Sequence, residues 1–202
     1  LKTGILVGLI MGGHALVYMI YKGMGINFLD VLKYFPISVL YIASMIIGYR
    51  GYKFIELSIS SPVQNSSGVI TALLFVLFFH EVYDYPFYIA VVLIFLGVII
   101  LSIDEIKATK EKRKEFKKNN GLKKLFTLAI MFPLFYALFD GVGTFLDGVF
   151  LDKLELINAD SALISYEFTF FVYGIITWIY LKKKAPKEKV FDEWNLIAAA
   201  VC

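Results

Sequence analysis

The chain has very little cysteine, histidine or charge, and each scarcity narrows what it can be. A single cysteine, Cys202, excludes an internal disulfide and a thiolate-held metal. Only two histidines, His14 and His80, are present, and no Cys/His cluster of metal-ligand spacing occurs. There is no G-x-S-x-G elbow, no H-E-x-x-H helix and no Walker loop. The chain is therefore read as a non-enzyme without a cofactor. Asp, Glu, Lys and Arg make up only 18% of it, against 59% hydrophobic residues. A soluble domain of 202 residues could not cover its surface from so small a polar stock, so lipid is the expected solvent.

What is abundant is long apolar sequence. Six runs stand out: Gly4–Tyr21, Phe35–Ser58, Pro62–His80, Pro86–Ser102, Leu122–Phe150 and Ala162–Leu181, with another opening near Trp194. A helix needs about 20 residues to cross the hydrocarbon, and most of these runs meet that; Pro86–Ser102 is short and leans on Tyr83 and Tyr85. The absence of strict alternation favours helices over barrel strands. Tyr18, Tyr21, Tyr88, Trp178 and Tyr180 near run ends fit interfacial aromatic belts. The expected fold is all-α, a polytopic helical bundle in the membrane. Because the chain opens at Leu1 and closes inside an apolar run, it is expected to be a fragment of a longer protein.

Charge is sparse but sorted. Residues 104–124 carry nine Lys/Arg and Lys182–Lys189 carry five, whereas Asp152, Glu155 and Asp160 face only Lys153 in the 151–160 loop. The positive-inside rule places the two basic segments in the cytoplasm, and the acidic loops near 83 and 155 outside. Alternation then puts Lys2 inside and the turn near residue 28 outside. The basic segment carries no aromatic stacking pattern for nucleic acid, so nucleic acid is not an expected partner. Its expected partner is the lipid surface. The organisation expected is a first helical repeat over 1–103, a basic cytoplasmic linker over 104–121 and a second, truncated repeat over 122–202.

The third and fourth runs read SPVQNSSGVITALLFVLFFHE and YPFYIAVVLIFLGVIILS. Here a polar, Pro-containing turn opens a helix that ends on an acid, and the next helix closes on Leu-Gly-Val. The pattern resembles the drug/metabolite transporter superfamily, in particular EamA-like permeases. In that family an early Pro and a terminal Glu bracket one helix, matched by Pro62 and Glu81, and a late Gly-Val marks the next, matched by Gly97–Val98. The family's small glycine is replaced near Ala90. The resemblance covers about residues 35–103, and the remainder by hydropathy alone. It implies a fragment of a ten-helix inverted-repeat transporter, with four helices of the first half, the linker, and two helices plus the start of a third from the second. Family members are thought to carry both termini in the cytoplasm, which would place the linker outside; the charges here favour inside.

Candidate transport residues are the polar groups within apolar runs. A charged side chain there costs roughly 2.5–3.5 kcal/mol on the insertion scale unless it meets a cavity or a partner. Asp140, Asp147 and Glu167 are such acids. Asp140 and Asp147, seven apart among Gly141, Gly143 and Gly148, share a helix face. They could line a cavity and meet a proton or a cationic group; Asp147 could equally sit at the external surface, and Glu167 at an interface. Ser61, Asn65, Gly68 and Ala72 fall on one face of a helix that Pro62 opens, flanked by Gln64. Gln64, Asn65 and Ser61 are candidates for hydrogen bonding a solute, or for gluing helices together. His14 could exchange a proton or hydrogen-bond a neighbouring helix. Gly8 and Gly12 form a G-x-x-x-G that indicates close packing.

These residues lead to an expected permease of the bacterial cytoplasmic membrane. It would move a small polar or amphipathic solute by alternating access, coupled to protons or to exchange. A homodimer is compatible with the pattern. Two alternatives stay open: a membrane enzyme using His14 or His80 with the intramembrane acids, and a non-transporting assembly subunit.

Overall fold

The computed structural model describes residues 1–52, 57–115 and 120–186, without the side chains of 57–59, Ser61 and 101–130. Among the described residues, seven α-helices follow one another: α1 (Lys2–Lys22), α2 (Phe28–Gly51), α3 (Leu57–Asn65), α4 (Ser67–Phe79), α5 (Tyr85–Glu115), α6 (Asn120–Gly148) and α7 (Ala159–Lys184). A π-helical turn, Val149–Lys153, follows α6, and no strand occurs among the described residues. Five segments are long and apolar enough to cross a membrane: α1, α2, Pro62–Phe79, Met131–Lys153 and α7. The apolar stretch Tyr85–Ile100 at the head of α5 is shorter. Large apolar side chains such as Leu16, Val17, Ile20, Leu77, Phe78, Leu93 and Ile176 stand exposed along these helices. Apolar surface on that scale calls for lipid. The chain is a multi-pass membrane protein.

The helix boundaries have local causes. Gly23 ends α1 in the left-handed conformation, φ 64°, and the N–H of Met24 closes on the carbonyl of Met19 at 3.0 Å. The second run forms its helix from Phe28, ahead of the expected Phe35. The cause is a cap: Asn27 Oδ1 accepts from the N–H of Leu29 at 3.1 Å, while its amide donates to Asp30. Helix α7 starts on Asn158, whose Oδ1 accepts from the N–H of Ser161 at 2.8 Å, and it carries Asp160 in its first turn and Lys182–Lys184 in its last.

Pro62 does not open a helix. It lies inside α3, and the break falls after Asn65, where the N–H and hydroxyl of Ser66 both reach back to the carbonyl of Val63. Proline removes one rung of the ladder, and the Ser66 hydroxyl competes for a carbonyl nearby. The expected continuous face through Ser61, Asn65, Gly68 and Ala72 is therefore interrupted between α3 and α4.

The described chain forms two compact units, Leu1–Ile42 with the described residues from Gly148 on, and Ala43–Asp147. In the first, α1 and α7 pack antiparallel through a glycine stripe. A Cβ on Gly8 would lie 2.5 Å from the carbonyl oxygen of Phe170 and 2.8 Å from the Cα of Gly174. Only hydrogen on both sides permits that approach. Ile5, Leu6 and Leu181 close one end of the pair. At the other end Lys22 meets Asp160, and Lys33 of α2 donates to the carbonyl of Leu156 at 3.3 Å. Thus Lys2 and Lys182–Lys184 share one end, and the turns after α1 and before α7 share the other, the same parity that the charges imply.

In the second unit the carbonyl of Gly141 on α6 accepts from Thr71 Oγ1 of α4 at 2.9 Å. Phe75 of α4 and Phe145 of α6 meet edge to face with centroids 4.9 Å apart. An apolar cavity of about 120 Å³ lies among Ser66, Ile70, Phe95, Val98 and Leu134.

Candidate functional site

The α1–α7 crossing brings two predicted residues together. His14 Nδ1 lies 2.6 Å from Glu167 Oε1. One proton lies between them, whichever partner carries it. Glu167 is 6% exposed and sits about 12 Å along α7 from its start. It lies within a helix long and apolar enough to cross a membrane, buried against α1. Its other oxygen, Oε2, is buried with no hydrogen-bond partner among the described residues. The His14 side chain is 57% exposed, on the rim of α1 rather than under α7. Beside it, a side chain added at Gly13 would meet nothing within 4 Å.

The polar stripe continues toward the end where α1 finishes. Tyr18 lies one turn beyond His14, with ring centroids 6.0 Å apart. Its hydroxyl donates to Asp160 Oδ1 at 2.6 Å. Lys22, one further turn on, donates to the same carboxylate at 3.2 Å. Spacing of four residues on α1 and seven on α7 keeps all five groups on facing stripes. Sequence reasoning placed Tyr18 in an aromatic belt and Asp160 in an acidic loop; their partnership spans 142 residues and leaves no local signal. Near this stripe the helices enclose a cavity of about 90 Å³ lined by Gly12, Ala15, Ile164 and Phe168 among others. Its wall offers water no partner.

Gln64 and Ser60 sit in the second unit, buried. The Gln64 amide donates to Ser60 Oγ at 3.0 Å, and its oxygen accepts from the Tyr52 hydroxyl at 2.7 Å. Both ends of the amide are engaged, one within α3 and one with Tyr52 just beyond α2. Asn65 is exposed at the end of α3. Ser61 has a described backbone in α3, but its side chain lies outside the described residues. Asp140 is half-buried on α6, and its carbonyl accepts from Thr144 Oγ1 at 2.9 Å. Asp147, also half-buried, is next to the last residue of that helix. Asp140 and Asp147 therefore share α6 in one unit, while His14 and Glu167 pair in the other.

A buried carboxylate with one oxygen on an imidazole and the other unpartnered can hold a proton or balance a cation. No protein-family model, curated protein or solved structure matches the chain.

Proposed function

We propose that this chain belongs to a permease that carries a small polar or amphipathic solute across a bacterial cytoplasmic membrane by alternating access. The observation that carries the reading is the His14–Glu167 pair, an ionisable couple held inside two helices able to cross the membrane. Ionisable side chains at such depth are expensive and mark solute or ion routes. The interrupted helix α3–α4 adds support, because broken helices expose backbone groups where transporters bind cargo. The sequence resemblance to EamA-like permeases at Gly97–Val98 supports the same reading, and with it a ten-helix inverted-repeat architecture, whereas Pro62 and Glu81 do not bracket a single helix here. Asp140 is the second acid assigned to solute charge or coupling.

The test is solute flux by the full-length protein in proteoliposomes against a metabolite panel, with Glu167→Gln and Asp140→Asn alongside. Flux lost in Glu167→Gln supports the reading; no flux for any solute, or unchanged flux in both variants, overturns it.

One observation favours a second reading. A histidine 2.6 Å from a carboxylate is also an acid–base couple, as a membrane enzyme would use. The apolar wall of the neighbouring cavity gives a reacting polar group little to bind. Chemical conversion of a panel solute, rather than its displacement, would favour the enzyme.

A further inference from the structure

We infer that His14 and Glu167 form a proton-loading site, and that the proton reaches it along Tyr18, Asp160 and Lys22 from the face where α1 ends and α7 begins. This deepens the permease reading, on which it rests for its purpose, whereas its test rests on geometry alone.

The loading step moves one proton and nothing else. With Nδ1–H donating to Glu167 Oε1, the Nε2 lone pair of His14 is the basic site left over. The pair then carries one negative charge. A proton arriving at Nε2 makes an imidazolium beside the carboxylate and brings the pair to neutrality. In low dielectric, neutralising a buried charge is the favoured direction, so the pair has two states that a membrane protein can distinguish.

The route follows the polar contacts between α1 and α7. Asp160 at the helix end is held by Lys22 at 3.2 Å and Tyr18 at 2.6 Å. The Tyr18 ring stacks on His14 at 6.0 Å, and open space beside Gly13 leaves the half-exposed imidazole room to turn or to take a water. The apolar cavity of about 90 Å³ offers no competing wet path.

Among the described residues of this unit, the titratable and polar groups lie on three helices. Helix α1 supplies His14, with Tyr18 and Lys22 beyond it, and α7 itself supplies Asp160. Helix α2 presents the buried Tyr34 and Ser38 and the Tyr41 ring, which meets Tyr166 at 5.4 Å, along one face. Its charged residues Asp30 and Lys33 lie near its start, with Lys33 on the carbonyl of Leu156.

The chain's two histidines make the site directly readable. The full chain, ¹⁵N-labelled at histidine and carrying His80→Gln, is placed in lipid nanodiscs, and the His14 imidazole is followed by NMR across pH. The imidazole signal is expected to respond to pH differently in wild type and in Glu167→Gln, because only the carboxylate 2.6 Å away can stabilise an imidazolium there. The double variant Lys22→Gln/Asp160→Asn removes the outer pair without altering net charge. It is expected to leave the affinity within about threefold but slow proton exchange at the imidazole at least about a hundredfold, with Asp160→Glu close to wild type. An imidazole that never changes charge, or one indifferent to Glu167→Gln, overturns the loading site. Exchange as fast in the double variant as in wild type overturns the route. Titration intact without solute flux supports this inference and counts against the permease; flux without titration does the reverse.

Discussion

Replacing Gly8 by alanine tests the contact on which the His14–Glu167 pair depends. The new Cβ would lie 2.5 Å from the Phe170 carbonyl oxygen and 2.8 Å from the Gly174 Cα. Both are backbone atoms, so no side chain can swing away to make room. An ordinary carbon–oxygen contact is about 3.4 Å, so α1 and α7 must part by about 0.9 Å. Between membrane helices, packing of this kind is itself the main attraction. A crossing of on the order of 30 atom pairs at about 0.15 kcal/mol each, losing about a third of its depth, forfeits about 1.5 kcal/mol. Overpacked cores cost about 1–3 kcal/mol, the same range. The 2.6 Å His14–Glu167 contact would stretch toward about 3.5 Å, the limit of a hydrogen bond. Gly13→Ala is the matched control, because nothing lies within 4 Å of its Cβ position. Unfolding by SDS in mixed micelles measures both. Gly8→Ala is expected to lose about 1.5 kcal/mol and Gly13→Ala to lose nothing. A Gly8→Ala protein as stable as Gly13→Ala would refute the close approach and the pairing built on it.

The second unit makes a separate prediction. Gln64→Leu strips partners from Tyr52 and Ser60 and is expected to cost about 1 kcal/mol, most of it recovered when Tyr52→Phe is added; additive losses in that double-mutant cycle would deny the coupling. In the turn before α5, the Glu81 carboxylate accepting from the Tyr83 hydroxyl pushes that phenol up to about 12. The folded state therefore prefers neutral Tyr83. The associated stability is complete below the ordinary value of 10.0 and is lost as pH rises toward about 12. Tyrosinate absorbance should show one phenol titrating earlier in Glu81→Gln than in wild type, and identical alkaline curves would contradict the contact. For topology, single cysteines placed in the 104–124 segment of a Cys202→Ser chain should react only with reagent supplied from the cytoplasmic side. Labelling from outside would reverse the orientation.

The sequence announced membrane helices because apolar runs of bilayer length need no partner to be recognised. Their ends were less legible. Helix α2 begins at Phe28 because Asn27 and Asp30 cap it, a signal present in the chain but masked by the charged Lys33 ahead of the apolar run from Phe35. The α3–α4 break was hidden for a different reason. A proline beside a polar cluster reads as a helix start, yet Leu57–Ser61 extends the helix ahead of it and moves the interruption to Ser66. At the site, local cost identified Glu167 and His14 singly, since each is too polar for its surroundings. Their meeting was not readable, because it joins residues 153 apart. The glycine stripe carried half of the answer. Gly4, Gly8 and Gly12 are buried while Gly13, His14, Leu16 and Val17 are exposed, so the stripe defines the face of α1 that meets another helix and leaves His14 on its margin. A marginal histidine can reach round to a carboxylate buried beneath the contact and still present its second nitrogen to open space. The meeting of His14 with Glu167 thus follows from where the glycines put the helix.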